Sequence, residues 1–215
     1  MSNELQAASS LLPITEKSVD KVSQTGENNF FIENHADIHV HVDSPQVITY
    51  ELNGNDWMAI QNFRRQYYQL LVTCEDIMEQ NYVTPLANRS LVKAAVPDEI
   101  FDACSTLSPT GQDILKTIPA IICHENTEYN GITDSNQMAI YGRILKINRL
   151  GKENKVYFKI IRMFPQHLLC DHCLDFDLNM DCAITDLNYS AWTVHKIDLF
   201  CAFESAGLKD MPKPN

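Results

Sequence analysis

The sequence predicts an α+β fold, a small curved sheet or half-barrel packed by helices, preceded by a polar N-terminal arm and an alternating strand. Three observations carry that expectation. The stretch 29–43 (NFFIENHADIHVHVD) alternates apolar and polar side chains. The last hundred residues hold β-rich runs, two of them joined by a hairpin signal. Between these lie short segments with helical spacing and recognisable start signals.

In the first element, Phe30, Ile32, Ile38, Val40 and Val42 fall on one side of an extended strand. Glu33, His35, Asp37, His39, His41 and Asp43 fall on the other, because successive side chains of a strand alternate. Ser44-Pro45 terminates it, and a second strand is possible at 46–52. Asn53-Gly54-Asn55-Asp56 is a turn, with Asn55 or Asp56 available to cap a following helix. From Trp57 to Met78 apolar residues recur at helical spacing, yet Tyr67 to Thr73 (YYQLLVT) reads equally as a buried strand. The segments 98–104 and 108–117 read as short helices, the second capped by Ser108 with Pro109 in its first position.

Residues 118–123, 138–147 and 155–163 are β-rich, and NRLGKEN joins the latter two with Gly151 free to take positive φ. Pro165 opens an expected helix (PQHLLCDHCLDF), and a last helix is expected over 191–206, stopped by Gly207. The chain thus divides into a polar arm (1–28), an alternating strand or hairpin (29–52), a mixed, mainly helical segment (53–117) and a β-rich domain with C-terminal helices (118–215). The first of these is low in aromatics and expected to be mobile.

Composition narrows the function classes. A formal net charge of -11 disfavours broad binding to nucleic acid or anionic membranes, which needs surplus Lys and Arg, although a local basic strip escapes that argument. No apolar run approaches a membrane span, and the N-terminus lacks the basic-then-apolar order of a signal peptide. Seven cysteines, an odd number in apolar contexts, fit reduced thiols. A cytoplasmic protein is expected.

Three constellations are candidates for chemistry. His39-Val40-His41 places two imidazoles on one strand face, a spacing that can bite a metal ion. At about 3.3 Å per residue, Asp37 and His41 are roughly 13 Å apart, so one ion cannot use the whole row, and a polar sheet face is the preferred reading. His167-x-x-Cys170-x-x-Cys173, with Cys182 downstream, has a zinc or redox spacing but lacks a second ligand pair. Leu169, Cys170, Cys173 and Phe176 also form an ordinary apolar stripe, which favours core thiols. Cys123-His124 is rejected as a nucleophile–base pair, since strand neighbours face opposite sides. No metal or cofactor is assigned, and no phosphate loop, nucleophile elbow or metalloprotease helix is present.

The order of segments resembles a family of uncharacterised bacterial proteins associated with phage-defence or mobile-element neighbourhoods. The matching segments are Ile32-Glu33-Asn34 in the first strand, Tyr67-Tyr68-Gln69-Leu70-Leu71-Val72, Pro119-Ala120-Ile121 with Glu125-Asn126, Gln137 to Ile144, and Trp192 to Leu199 with Ala206-Gly207. They span most of residues 29–208. Ser190-Ala191 stands where the family has Thr-His before the Trp, and the first-strand histidines replace mostly Asn, Val and Thr. The resemblance implies a fold and a setting rather than a reaction, and it tilts Tyr67–Thr73 toward a strand.

The preferred function is therefore a non-catalytic interaction or adaptor subunit. It would associate with itself or with a protein partner through Phe30, Ile32, Ile38, Val40 and Val42. The alternative is a nucleic-acid reader using Tyr141, Arg143, Lys146, Tyr157, Lys159 and Arg162, where bases and aromatics mix. A metal-dependent enzyme using His39 and His41 is the third reading.

Overall fold

The chain Tyr68–Thr73 (β2) explains the architecture, because every one of its six residues is buried. A strand covered on both faces must lie inside a sheet with layers on either side, and it reads as a near-continuous apolar run. The computed structural model describes residues 47–179 and 183–215. Among them the strands are β1 (Ile48–Thr49), β2, β3 (Tyr82–Val83), β4 (Pro119–His124), β5 (Met138–Leu150), β6 (Glu153–Pro165) and β7 (Ala191–His195). The helices are α1 (Gly54–Gln61), α2 (Asp98–Cys104), α3 (Pro109–Lys116), α4 (His167–Asp171) and α5 (Leu199–Ser205).

One open, mixed sheet runs in the order β1-β6-β5-β4-β2-β7, with β3 also pairing with β6. Only β2 and β4 run parallel, linked through α2 and α3 as a crossover connection requires. The fold is α+β around a curved open sheet, as the sequence predicts. On one face, Tyr68, Leu70, Val72, Ile121, Tyr141 and Phe164 pack with Ile60 of α1, Leu169 of α4 and Phe200 and Phe203 of α5. On the other, Leu71, Ala120, Ile122, Ile144, Val156, Phe158 and Trp192 pack with Ile100 and Cys104 of α2 and Leu115 of α3.

Local signals explain most boundaries. Ser108 accepts the Gly111 N–H with Pro109 at the start of α3, and Gly151 takes φ 64° at the tip of the β5–β6 hairpin. Gly207 takes φ 77° after α5. Two extra residues kink the long hairpin: Ile161 on β6, skipped between the pairs Tyr141–Arg162 and Gly142–Ile160, and Leu145 on β5, skipped between Ile144–Phe158 and Lys146–Tyr157. Each bulge resets the alternation. The second lets Ile144 and Ile147 both enter the core while Lys146 faces out.

Of the two readings open for Trp57 to Met78, the one with a strand at Tyr67–Thr73 is the one that forms: α1 ends at Gln61 and β2 begins at Tyr68. Three expectations need correction, the first at the start of α1. Its cap is Asn53, not Asn55 or Asp56: Asn53 Oδ1 accepts the Asp56 N–H at 3.0 Å while Asp56 Oδ2 accepts the Asn53 N–H at 3.2 Å, a capping box. Pro165 closes β6 instead of opening a helix, and α4 starts at His167. The helix expected over 191–206 divides into β7 and α5. Trp192 pairs with Leu71 of β2, and Asp198 caps α5 by accepting the Phe200 N–H at 3.0 Å. Since β2 lies between β4 and β7, segment 53–117 supplies a central strand to the same sheet that segment 118–215 builds.

Candidate functional site

Parallel strands deliver their carboxyl ends to one edge of a sheet, the usual place for a ligand crevice in layered α/β architecture. Here β2 and β4 end in register at Thr73 and His124, and the Glu125 N–H continues the ladder to the Thr73 carbonyl at 2.9 Å. Past these ends the chain turns away on both sides, leaving a cleft of about 790 Å³. Its lining combines Thr73, Cys74 and Met78 after β2, His124 to Thr127 and Tyr129 after β4, Asp134 and Asn136 to Met138 entering β5, and Asn188 ahead of β7.

A polar network behind the lining fixes its shape. Gln166, fully buried, accepts the His124 N–H through Oε1 at 3.0 Å. Its Nε2 donates to the His124 carbonyl at 2.7 Å and to Asn126 Oδ1 at 2.9 Å. The Asn126 amide donates to Thr133 Oγ1 at 3.0 Å and lies 3.6 Å from Cys170 Sγ. Asn188 Nδ2 donates to the carbonyls of Asn126 and Glu128 at 3.1 and 2.8 Å, and the Ser190 hydroxyl donates to Glu125 Oε2 at 2.7 Å. Satisfied buried networks of this kind rigidify what they hold. Gln166, Asn126 and Asn188 escaped sequence reasoning because amides carry no chemical signature of their own.

The electrostatics are one-sided. Glu125 and Asp134 line the cleft, and no Lys or Arg does so among the described residues. Burial pushes the His124 imidazole below its ordinary pKa, with Asp76 offsetting part of that effect, so it is neutral at pH 7. Met78 and Tyr129 bring apolar surface to the cleft, 50% and 58% exposed.

The residues singled out from sequence scatter. Phe30, Ile32, Ile38, Val40, Val42, His39, His41 and Cys182 lie outside the described residues. Cys123 is buried in the core, where burial pushes its thiol up, whereas His124 lines the cleft. Cys170 is buried beneath the Asn126 amide, Cys173 packs half-buried at the core margin, and His167 faces Asp171 at 3.9 Å. No group of three or more His, Cys, Asp or Glu able to hold a metal ion occurs among the described residues. No described helix is long and apolar enough to cross a membrane.

Of the six residues proposed for nucleic-acid contact, four serve the fold. Tyr141 is buried with its hydroxyl on the Pro212 carbonyl at 2.8 Å. Arg143 binds Asp56 at 2.8 Å, Lys159 approaches the same carboxylate at 3.5 Å, and Arg162 donates to the Tyr50 carbonyl at 3.1 Å. Lys146 and Tyr157 remain at the surface, joined by Tyr82 and Lys155, whose Nζ lies 3.5 Å from the Tyr82 ring centroid. That lysine also lies 5.3 Å from the Tyr157 ring centroid, so it stands over both rings on which a base would stack.

Compared with models of known protein families, with curated proteins and with solved structures, the chain gives no match.

Proposed function

We propose that this chain is a non-catalytic interaction subunit that receives a segment of a protein partner in the cleft at the carboxyl ends of β2 and β4. The observation that carries the reading is the cleft's construction. Hydrogen-bonding groups lie at the strand ends, apolar Met78 and Tyr129 are exposed beside them, and a fully bonded amide network stands behind. Such a surface offers shape and hydrogen bonds to an occupant. Self-association through Phe30, Ile32, Ile38, Val40 and Val42 belongs to the same proposal, because the alternating pattern read there from the sequence suits edge pairing with a second copy.

Asn136 is exposed in the lining, and its backbone N–H donates to Asp134 Oδ1 at 2.9 Å, so Asn136→Trp fills the cleft without removing a core contact. The test is quantitative pull-down from the native host with wild-type chain and this variant. Partners enriched by the wild type and lost by a variant of unchanged melting temperature support the reading; identical partners for both sink it. Light scattering on the chain with and without residues 1–44 tests the self-association, which a monomer in both cases would refute.

A further inference from the structure

The charge of the cleft specifies its occupant. We infer that the segment received there is cationic: a Lys or Arg side chain of a partner protein inserts between Glu125 and Asp134. The inference rests on the reading of the cleft as a docking site and adds the chemistry of what docks.

Both carboxylates are held in place by one oxygen. Glu125 Oε2 accepts the Ser190 hydroxyl at 2.7 Å and Asp134 Oδ1 accepts the Asn136 N–H at 2.9 Å. The second oxygen of each has no protein partner among the described residues, so two negatively charged acceptors stand ready without reorganisation. Charge complementarity is unopposed, since no Lys or Arg shares the lining and the half-buried His124 stays neutral. The apolar surface suits the same occupant. A lysine or arginine stem packs on Met78, while the ring of Tyr129 accepts a cation over its face. The net charge of -11 adds long-range attraction for a basic partner. A protein segment fits better than a small free amine, because exposed Ile132, next to the cleft-lining Tyr129 in the loop before Thr133, extends the contact surface beyond the carboxylates.

The test uses the intact chain and a displayed library of random peptides, counter-selected on Asn136→Trp. Peptides that depend on an open cleft are expected to be enriched in Lys and Arg. The affinity of such a peptide should fall about threefold to tenfold in the Glu125→Gln/Asp134→Asn double variant; for the wild type it should also fall as salt is raised, and less steeply for the variant. Cleft-dependent peptides that are neutral or acidic, or a basic peptide indifferent to the double variant, overturn the cationic inference and leave the docking site standing. Spermidine binding as tightly as the selected peptide overturns the assignment to a protein segment. No cleft-dependent peptide at all overturns the docking site itself, and the inference with it.

Discussion

Replacing Trp192 removes the largest fully buried side chain among the described residues. The side chain is fully buried in β7, opposite Leu71 of β2. Its Nε1 donates to Gln69 Oε1 at 3.2 Å, and Gln69 Nε2 donates in turn to the carbonyls of Leu115 and Ile118, both at 2.9 Å. The indole therefore locks a buried amide that ties the end of α3 to the sheet. Trp192→Ala removes the packing, worth about 3–5 kcal/mol, and strands a buried acceptor at about 1–3 kcal/mol. The two terms overlap, so about 4–6 kcal/mol is expected, against a typical domain stability of about 5–15 kcal/mol. Trp192→Phe keeps much of the burial but loses the donor, which should cost about 1–3 kcal/mol. Urea unfolding followed by circular dichroism measures both. Fluorescence supplies a second readout, since the chain has two tryptophans and Trp57 is 44% exposed. In Trp57→Phe the remaining emission should be blue-shifted and shielded from acrylamide. An Ala variant within about 1 kcal/mol of wild type, or a readily quenched Trp192, would refute the packing.

Asp56 is nearly fully buried, and burial alone would raise its pKa; the Arg143 hydrogen bond, the Asn53 N–H and the Lys159 charge outweigh that and hold it below its ordinary value of 3.8. Its stabilisation is thus complete above that value and lost as pH falls through the lower folded one. Asp56→Asn should cost about 1.5–3 kcal/mol at pH 7, the worth of a hydrogen bond to a charged group, and flatten the acid-unfolding curve below pH 3.8, as pH-dependent urea titrations would show. Gly142→Ala should cost about 1–3 kcal/mol, because a Cβ there would meet the Lys159 carbonyl oxygen at 2.7 Å; an unchanged urea midpoint would contradict the close strand approach. A chelator should leave the melting temperature untouched if Cys170 and Cys173 serve as core thiols, and one tightly held zinc per chain by elemental analysis would overturn that assignment.

The sequence made the layered α+β fold legible where one signal dominates. The Gly151 turn fixed the hairpin, Ser108-Pro109 fixed the start of α3, and β2 matched the strand alternative at Tyr67–Thr73. It misled where two elements share one apolar rhythm. From Ala191 to Ala206 the spacing continues through a strand and a helix, and only the β-branched pair Thr193-Val194 and the capping Asp198 mark the change. Bulges are equally silent: Ile144 and Ile147 differ in parity, yet both enter the same core because the extra residue Leu145 lies between them. The cleft could not be read at all. It exists because a parallel pair ends in register at Thr73 and His124, a pairing between segments about fifty residues apart.

A partner docked at the carboxyl ends of β2 and β4 leaves a footprint there. Hydrogen–deuterium exchange on the intact chain, with and without a cleft-selected peptide, tests it most directly. Protection should gather at residues 73–78, 124–129 and 134–138, with the β5–β6 hairpin tip unchanged. Protection confined instead to the tip around Gly151 and the Tyr82–Tyr157 surface would refute docking in the cleft.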